Sequence, residues 1–129
     1  MQLGTYEPKL LEKGRVALPK KIRDEITGTT VVLTIGFETC VFGFDEKTWE
    51  AVILPELSKP FFSDVQARKM RRKMCVNAMK VQIDSQGRII VPDYMRAFAH
   101  ILDTIVAIGA GDHFEIWDKA LWQKYEKDL

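Results

Sequence analysis

The chain has 129 residues, 47% of them hydrophobic and 29% charged, with a formal net charge of +1. That length fits one compact domain, and a near-neutral total excludes neither a polyanion nor a protein as partner. No apolar run reaches the roughly 20 residues of a membrane span, no secretory leader is expected, and Cys40 and Cys75 lack metal-ligand spacing, which fits a reducing cytoplasm.

The first predicted elements contain a stretch that occurs twice. Residues 10–23 return at 83–96, an offset of 83 − 10 = 73. Gly14-Arg15 is followed by Val16-Ala17-Leu18, Pro19 and, four residues on, Arg23; Gly87-Arg88 is followed by Ile89-Ile90-Val91, Pro92 and Arg96. The same offset matches Ile35-Gly36 to Ile108-Gly109, Asp45 to Asp118 and Trp49 to Trp122. Eight identities over 41 positions exceed the roughly two or three expected from average residue usage, so the chain is an internal duplication.

Each copy reads as strand, tight loop, strand, short helix, hairpin and helix. Gly14 and Gly87 punctuate the apolar runs as tight loops do, and the three apolar residues after each Gly-Arg suit short buried strands. Pro19 and Pro92 suit the first turn of a helix. The hairpins are Val31–Ile35 with Cys40–Phe44, and Thr104–Ile108 with His113–Trp117. Asp45 and Asp118 can cap the helices that follow, with Phe44/Trp49 and Trp117/Trp122 at hydrophobic-staple spacing. Between the copies, Pro55 and Pro60 end the first helix, and Ser63-Asp64-Val65-Gln66 opens another, whose Ala67, Met70, Met74 and Ala78 share a face. A repeat of about 40 residues is too short to fold alone, so the halves must share one core. This predicts an intertwined β-barrel with helices outside. The expected organisation is one pseudo-symmetric domain over 1–129: repeat one at 5–50, a helical connector at 51–79 and repeat two at 80–125.

Charge is segregated although the total is small. Residues 9–23 hold six basic side chains against Glu12, and residues 68–73 hold five against none; acids concentrate in 38–56 and 103–129. Glycine beside arginine suits a polyanion: arginine offers a bidentate fork to guanine, and Lys13, Lys20 and Lys21 offer sequence-independent phosphate contacts. The alternative is a structural arginine held by a carboxylate, for which Asp84 stands four residues before Arg88. Arg23 and Arg96 read as structural cations in a helix's last turn. The basic helix 64–78 reads as a solvated face or a subunit contact. No catalytic constellation stands out. Cys40 and His113 occupy equivalent places in the two copies and most simply are two hairpin side chains, and Gly109-Ala110-Gly111 lies in a turn rather than before a helix.

The repeated pattern of an acid three residues before Gly-Arg, three apolar residues, Pro and a last Arg resembles the AbrB/SpoVT-type DNA-binding module. Its duplication in a chain of this size is similar to the MraZ family of bacterial regulators. Leu3-Gly4-Thr5-Tyr6, Ile35-Gly36-Phe37-Glu38-Thr39-Cys40 and Phe114-Glu115-Ile116-Trp117 fit as well. The resemblance implies a mainly β fold with short helices, built as a pseudo-two-fold swapped-hairpin (AbrB-like, double-split) β-barrel. It implies a homo-oligomeric ring binding double-stranded DNA at repeated promoter elements of the division and cell-wall gene cluster, cytoplasmic and nucleoid-associated. No enzymatic activity, cofactor, metal, small-molecule substrate or membrane is implied. DNA contact carries over to Lys13, Gly14, Arg15, Gly87 and Arg88, with Lys20 on the phosphates, and Asp84 takes an orienting role. The family's Asp-x-x-x-Arg stands whole in the second copy only; Leu11 holds the acidic position before Arg15, and Glu12 points to the opposite strand face. The alternative is an antitoxin-like interaction module of the same fold, against which the short helical stretch ending at Leu129 is expected to weigh.

Overall fold

The computed structural model describes residues 1–129. In chain order the strands are β1 (Thr5–Tyr6), β2 (Arg15–Ala17), β3 (Thr30–Ile35), β4 (Val41–Asp45), β5 (Met79–Gln82), β6 (Arg88–Ile90), β7 (Ile105–Gly109) and β8 (Phe114–Asp118). The helices are α1 (Lys20–Arg23), α2 (Glu46–Thr48), α3 (Leu54–Leu57), α4 (Val65–Asn77), α5 (Asp93–Phe98) and α6 (Lys119–Glu126). None is long and apolar enough to cross a membrane.

The strands form a six-stranded antiparallel sheet in the order β1-β7-β8-β4-β3-β5 and a separate two-stranded ribbon, β2-β6. Each repeat's hairpin, β3-β4 or β7-β8, meets the other at the central β4-β8 pair. The first strand of each repeat leaves its own hairpin: β1 joins β7, and β5 joins β3. The expected barrel is not closed. β1 and β5 lie at opposite sheet edges, and the ribbon is paired with neither, its outer edges bonding instead to Leu11 and Asp84 N–H of the preceding loops.

Both faces of the sheet are covered. Val31, Leu33, Ile35, Ile105, Ala107, Phe114 and Ile116 face Val16, Leu18, Ile22, Ile89, Val91 and Met95 from the ribbon and from α1 and α5. The opposite side chains, Val32, Phe44, Val106, Ile108 and Trp117, meet Trp49, Met74 and Trp122 from the outer helices. Double coverage explains why residues 31–35 of β3 are all buried, the one polar side chain among them, Thr34, donating its hydroxyl to Met74 O (2.6 Å). The ribbon differs from the fully buried strands expected there: Val16 and Ile89 point into the core, whereas Ala17 and Ile90 face outward. Two flat apolar triplets thus have one wet side.

Three local expectations change. Pro55 does not end the first helix; the chain widens over Trp49–Ile53, where Leu54 N–H reaches back to Trp49 O, and α3 runs on through the proline. Asp45 precedes α2 but turns its carboxylate to Thr27 N–H (2.8 Å), while Asp118 does cap α6 through Leu121 N–H (3.3 Å). The cap of α4 is Asp64, accepting from Gln66 and Ala67 N–H. Both staples form, with ring centroids 5.3 Å apart in each copy.

Because the inner core draws on both repeats, neither half can bury its share alone. Expressed separately, residues 1–77 and 78–129 are expected to give the narrow amide dispersion of unfolded chains by NMR, and a well-dispersed spectrum from either would contradict this.

Candidate nucleic-acid interface

The ribbon is short and its register puts four side chains on one outer face. Arg15 pairs with Ile90, Val16 with Ile89 and Ala17 with Arg88. Side chains alternate along a strand, so the burial of Val16 and Ile89 obliges Arg15, Ala17, Arg88 and Ile90 to share the other side. Arg15 and Arg88 are diagonal neighbours there, roughly 7–8 Å apart by strand geometry. Both are partly exposed. The pairing is continued at each end by Leu18 N–H to Gly87 O (3.0 Å) and Val91 N–H to Gly14 O (2.9 Å).

The glycines and the last arginine of each motif turn out to be one device. Gly14 and Gly87 have φ +77° and +76°, in the left-handed region that favours glycine, and both are buried. A Cβ at Gly14 would stand 2.5 Å from Val91 O and 2.7 Å from Arg96 Nε; one at Gly87 would stand 2.9 Å from Arg23 Nε. Arg23 Nε donates to Leu18 O (3.0 Å) and Arg96 Nε to Val91 O (3.1 Å). Each half's Pro-x-x-x-Arg arginine therefore braces its own strand end and lies against the other half's glycine. Arg96 is also paired with Asp93. The room that glycine leaves is filled from inside the protein.

The two loops differ. In both, the residue four before the arginine donates its N–H to the arginine's carbonyl: Leu11 to Arg15 and Asp84 to Arg88, each 2.8 Å. In the second loop Asp84 Oδ1 also accepts from Gln86 N–H (2.8 Å) and Arg88 N–H (2.9 Å), and Oδ2 accepts from Arg88 Nε (2.9 Å). The Arg88 amide, against some opposing desolvation, and then the Arg88 guanidinium and Gln86 amide hold the Asp84 carboxyl below the ordinary carboxylate range. With leucine at position 11 these bonds have no acceptor. The first loop instead makes a tight turn over Glu12–Gly14, in which Arg15 N–H reaches Glu12 O and Lys13 takes the left-handed conformation (φ 59°, ψ 26°). No carboxylate lies within ion-pair distance of Arg15, whereas Arg88 is held.

The other basic candidates are more dispersed. Lys13 is exposed on its loop, and Lys20 is exposed and paired with Asp24 (2.8 Å). On α4, Arg68 donates to Phe61 O and Phe62 O, Arg71 and Arg72 lie over the Phe61 ring at 4.9 and 5.7 Å, and Lys73 lies over Phe98 at 5.4 Å. Much of that helix's charge is engaged in tying the connector down.

Cys40 and His113 do come near one another, through Glu115. His113 Nε2 lies 2.7 Å from Glu115 Oε2 and its Nδ1 2.7 Å from Asp112 Oδ1; Cys40 Sγ lies 3.8 Å from Glu115 Oε1. Burial, then Glu115, push the Cys40 thiol far up, which disfavours the thiolate. Burial disfavours the imidazolium, but its bonds to Glu115 and Asp112 outweigh that and raise the His113 pKa. Sequence reading missed Glu115, whose carboxylate also accepts from Trp117 Nε1 (2.8 Å). Its place two residues after His113 and two before Trp117 was the available signal.

A family model described as "MraZ protein, putative antitoxin-like" matches residues 1–73 and again 74–129. The transcriptional regulator MraZ of Roseiflexus castenholzii is 38% identical over 123 residues, spanning 95% of this chain and 85% of the relative. Those of Caldicellulosiruptor saccharolyticus and Leifsonia xyli subsp. xyli are 35% identical over 128 residues and 40% over 125, spanning 99% and 97% of this chain and 88% and 86% of the relatives.

The reciprocal brace makes two testable statements. Gly87→Ala is expected to destabilise the fold by about 2–5 kcal/mol, the sum of a left-handed alanine and an overpacked contact. Because Arg23 is what the new Cβ meets, Arg23→Ala combined with Gly87→Ala should cost less than the two separately, read by urea unfolding; strict additivity would refute the contact.

Proposed function

The chain belongs to the MraZ family, whose curated relatives are named transcriptional regulators, and from that premise we propose that it is a sequence-specific DNA-binding regulator. The observation that carries the reading is the shared outer face of the β2-β6 ribbon, where Arg15 and Arg88 stand side by side over a core filled by Val16 and Ile89. A guanidinium on a rigid strand can present its fork to guanine O6 and N7 in a major groove. Arg15 and Arg88 contact the duplex from this face. Lys13 and Lys20 meet phosphates, Gly14 and Gly87 shape the turns that bring backbone close to the duplex, and Asp84 orients Arg88.

One such face per chain covers little DNA. Several copies in a heterologous ring repeat it at fixed spacing and engage head-to-tail promoter elements together, so that modest single-site affinity suffices. The segregated acidic and basic segments supply complementary sides for that ring. The exchange of first strands between hairpins and the cross-half ribbon support the swapped-hairpin architecture of the AbrB type. In this reading one pseudo-symmetric domain acts in the cytoplasm at the nucleoid, on promoters of the division and cell-wall gene cluster, without catalysis or cofactor. The family description favours a second reading, an antitoxin-like interaction module; co-purification of a small toxin with the tagged chain would support it.

The test is binding to the DNA upstream of the chain's own gene over a salt series. Arg15→Ala and Arg88→Ala should each weaken binding by about 1–3 kcal/mol per site with unfolding unchanged. Wild-type affinity should fall steeply as salt rises. Wild-type affinity in the double variant would overturn the ribbon assignment.

A further inference from the structure

The motif's two copies have diverged at one position, and the consequence is visible in the loops. Arg88 is fastened at Nε and through its own amide by one carboxylate, which also fixes the turn before it. Arg15 leaves an otherwise equivalent strand with no carboxylate partner, after a turn built on backbone bonds and a left-handed lysine. Leu11, where the aspartate would stand, is 38% exposed and offers no acceptor. The two arginines share a face and a neighbourhood but not a degree of preorganisation.

We propose that they divide the labour of DNA recognition: Arg88, locked by Asp84, discriminates sequence, while Arg15, untied, supplies an adaptable contact that favours any duplex. The proposal rests on the DNA-binding reading above. Physically, a guanidinium held in one orientation donates both its hydrogen bonds only where acceptors match, so a wrong base leaves it unpaired. A free guanidinium reorients to whatever acceptor is near, phosphate included, and loses little on a wrong sequence. The pseudo-symmetric chain thereby acquires a polarity: one loop reads and the other grips. Each chain then contributes one strongly specified position to the operator rather than a symmetric pair.

Two measurements separate this idea from the reading it rests on. The first needs no DNA. In the full chain with labelled arginine, the Arg88 Nε–H signal should exchange with water at least about tenfold more slowly than that of Arg15, as expected for a bonded against a solvated group. Asp84→Leu should abolish the difference and Leu11→Asp should slow Arg15; equal exchange in the wild type overturns the proposal. The second is selection from a random-sequence duplex pool. Wild type should enrich a motif; Arg15→Ala should keep that motif at lower recovery. Asp84→Leu should flatten it, with discrimination falling about five- to tenfold, and Asp84→Asn serves should the leucine variant unfold. A motif that survives loss of Asp84, or that Arg15→Ala flattens equally, overturns the division of labour while leaving DNA binding intact. No recovery of any duplex by the wild type overturns the regulator reading and this proposal with it, whatever the exchange rates.

Discussion

A reciprocal exchange between the two halves holds the candidate interface in place. Arg23 braces Leu18 O while lying on Gly87, and Arg96 braces Val91 O while lying on Gly14. Each half thus needs the other to close its own turn. A strand of three residues has too few backbone bonds to persist by itself. It persists here because Leu18 and Val91 extend the pairing to the opposing glycine carbonyls, and because Val16 and Ile89 are fully withdrawn from water, worth about 1.5–3 kcal/mol each. The outer face inherits that rigidity, so two arginines sit on a fixed base and not on loose loops.

Electrostatics follow from the same economy. A net charge of +1 leaves little long-range pull, so the proposed affinity for a polyanion would have to come from placement. The densest cationic run, on α4, is spent largely on Phe61, on Phe98 and on two carbonyls of the connector. Of the two ribbon cations, Arg88 is paired with Asp84 and Arg15 has no ion-pair partner. Count alone would have favoured the helix; the contacts favour the ribbon.

Much of this was legible in the residues. The offset of 73 between Gly14 and Gly87 gave the pseudo-symmetry and the common order of elements, and the aromatic pairs around Asp45 and Asp118 gave both staples. Arg23 and Arg96 stand at helix ends, which suits a cation, but the glycine of the other half that each lies against is a tertiary contact that spacing does not reveal. Closure of the barrel could not be judged from periodicity, which cannot tell whether β1 and β5 meet. Pro55 misled for a local reason: the widened turn before it removes the clash that would normally stop a helix. Leu11 was visible as a departure, but that Lys13 would take over the turn with a strained backbone was not.

In the proposed reading, the ribbon and its two loops are where a duplex would meet this chain. Following backbone amides during titration with duplex DNA tests it most directly. Amides of residues 12–17 and 85–90 are expected to shift together and first, with α4 and α6 nearly still. Shifts centred on 65–77, with the ribbon unmoved, would contradict it.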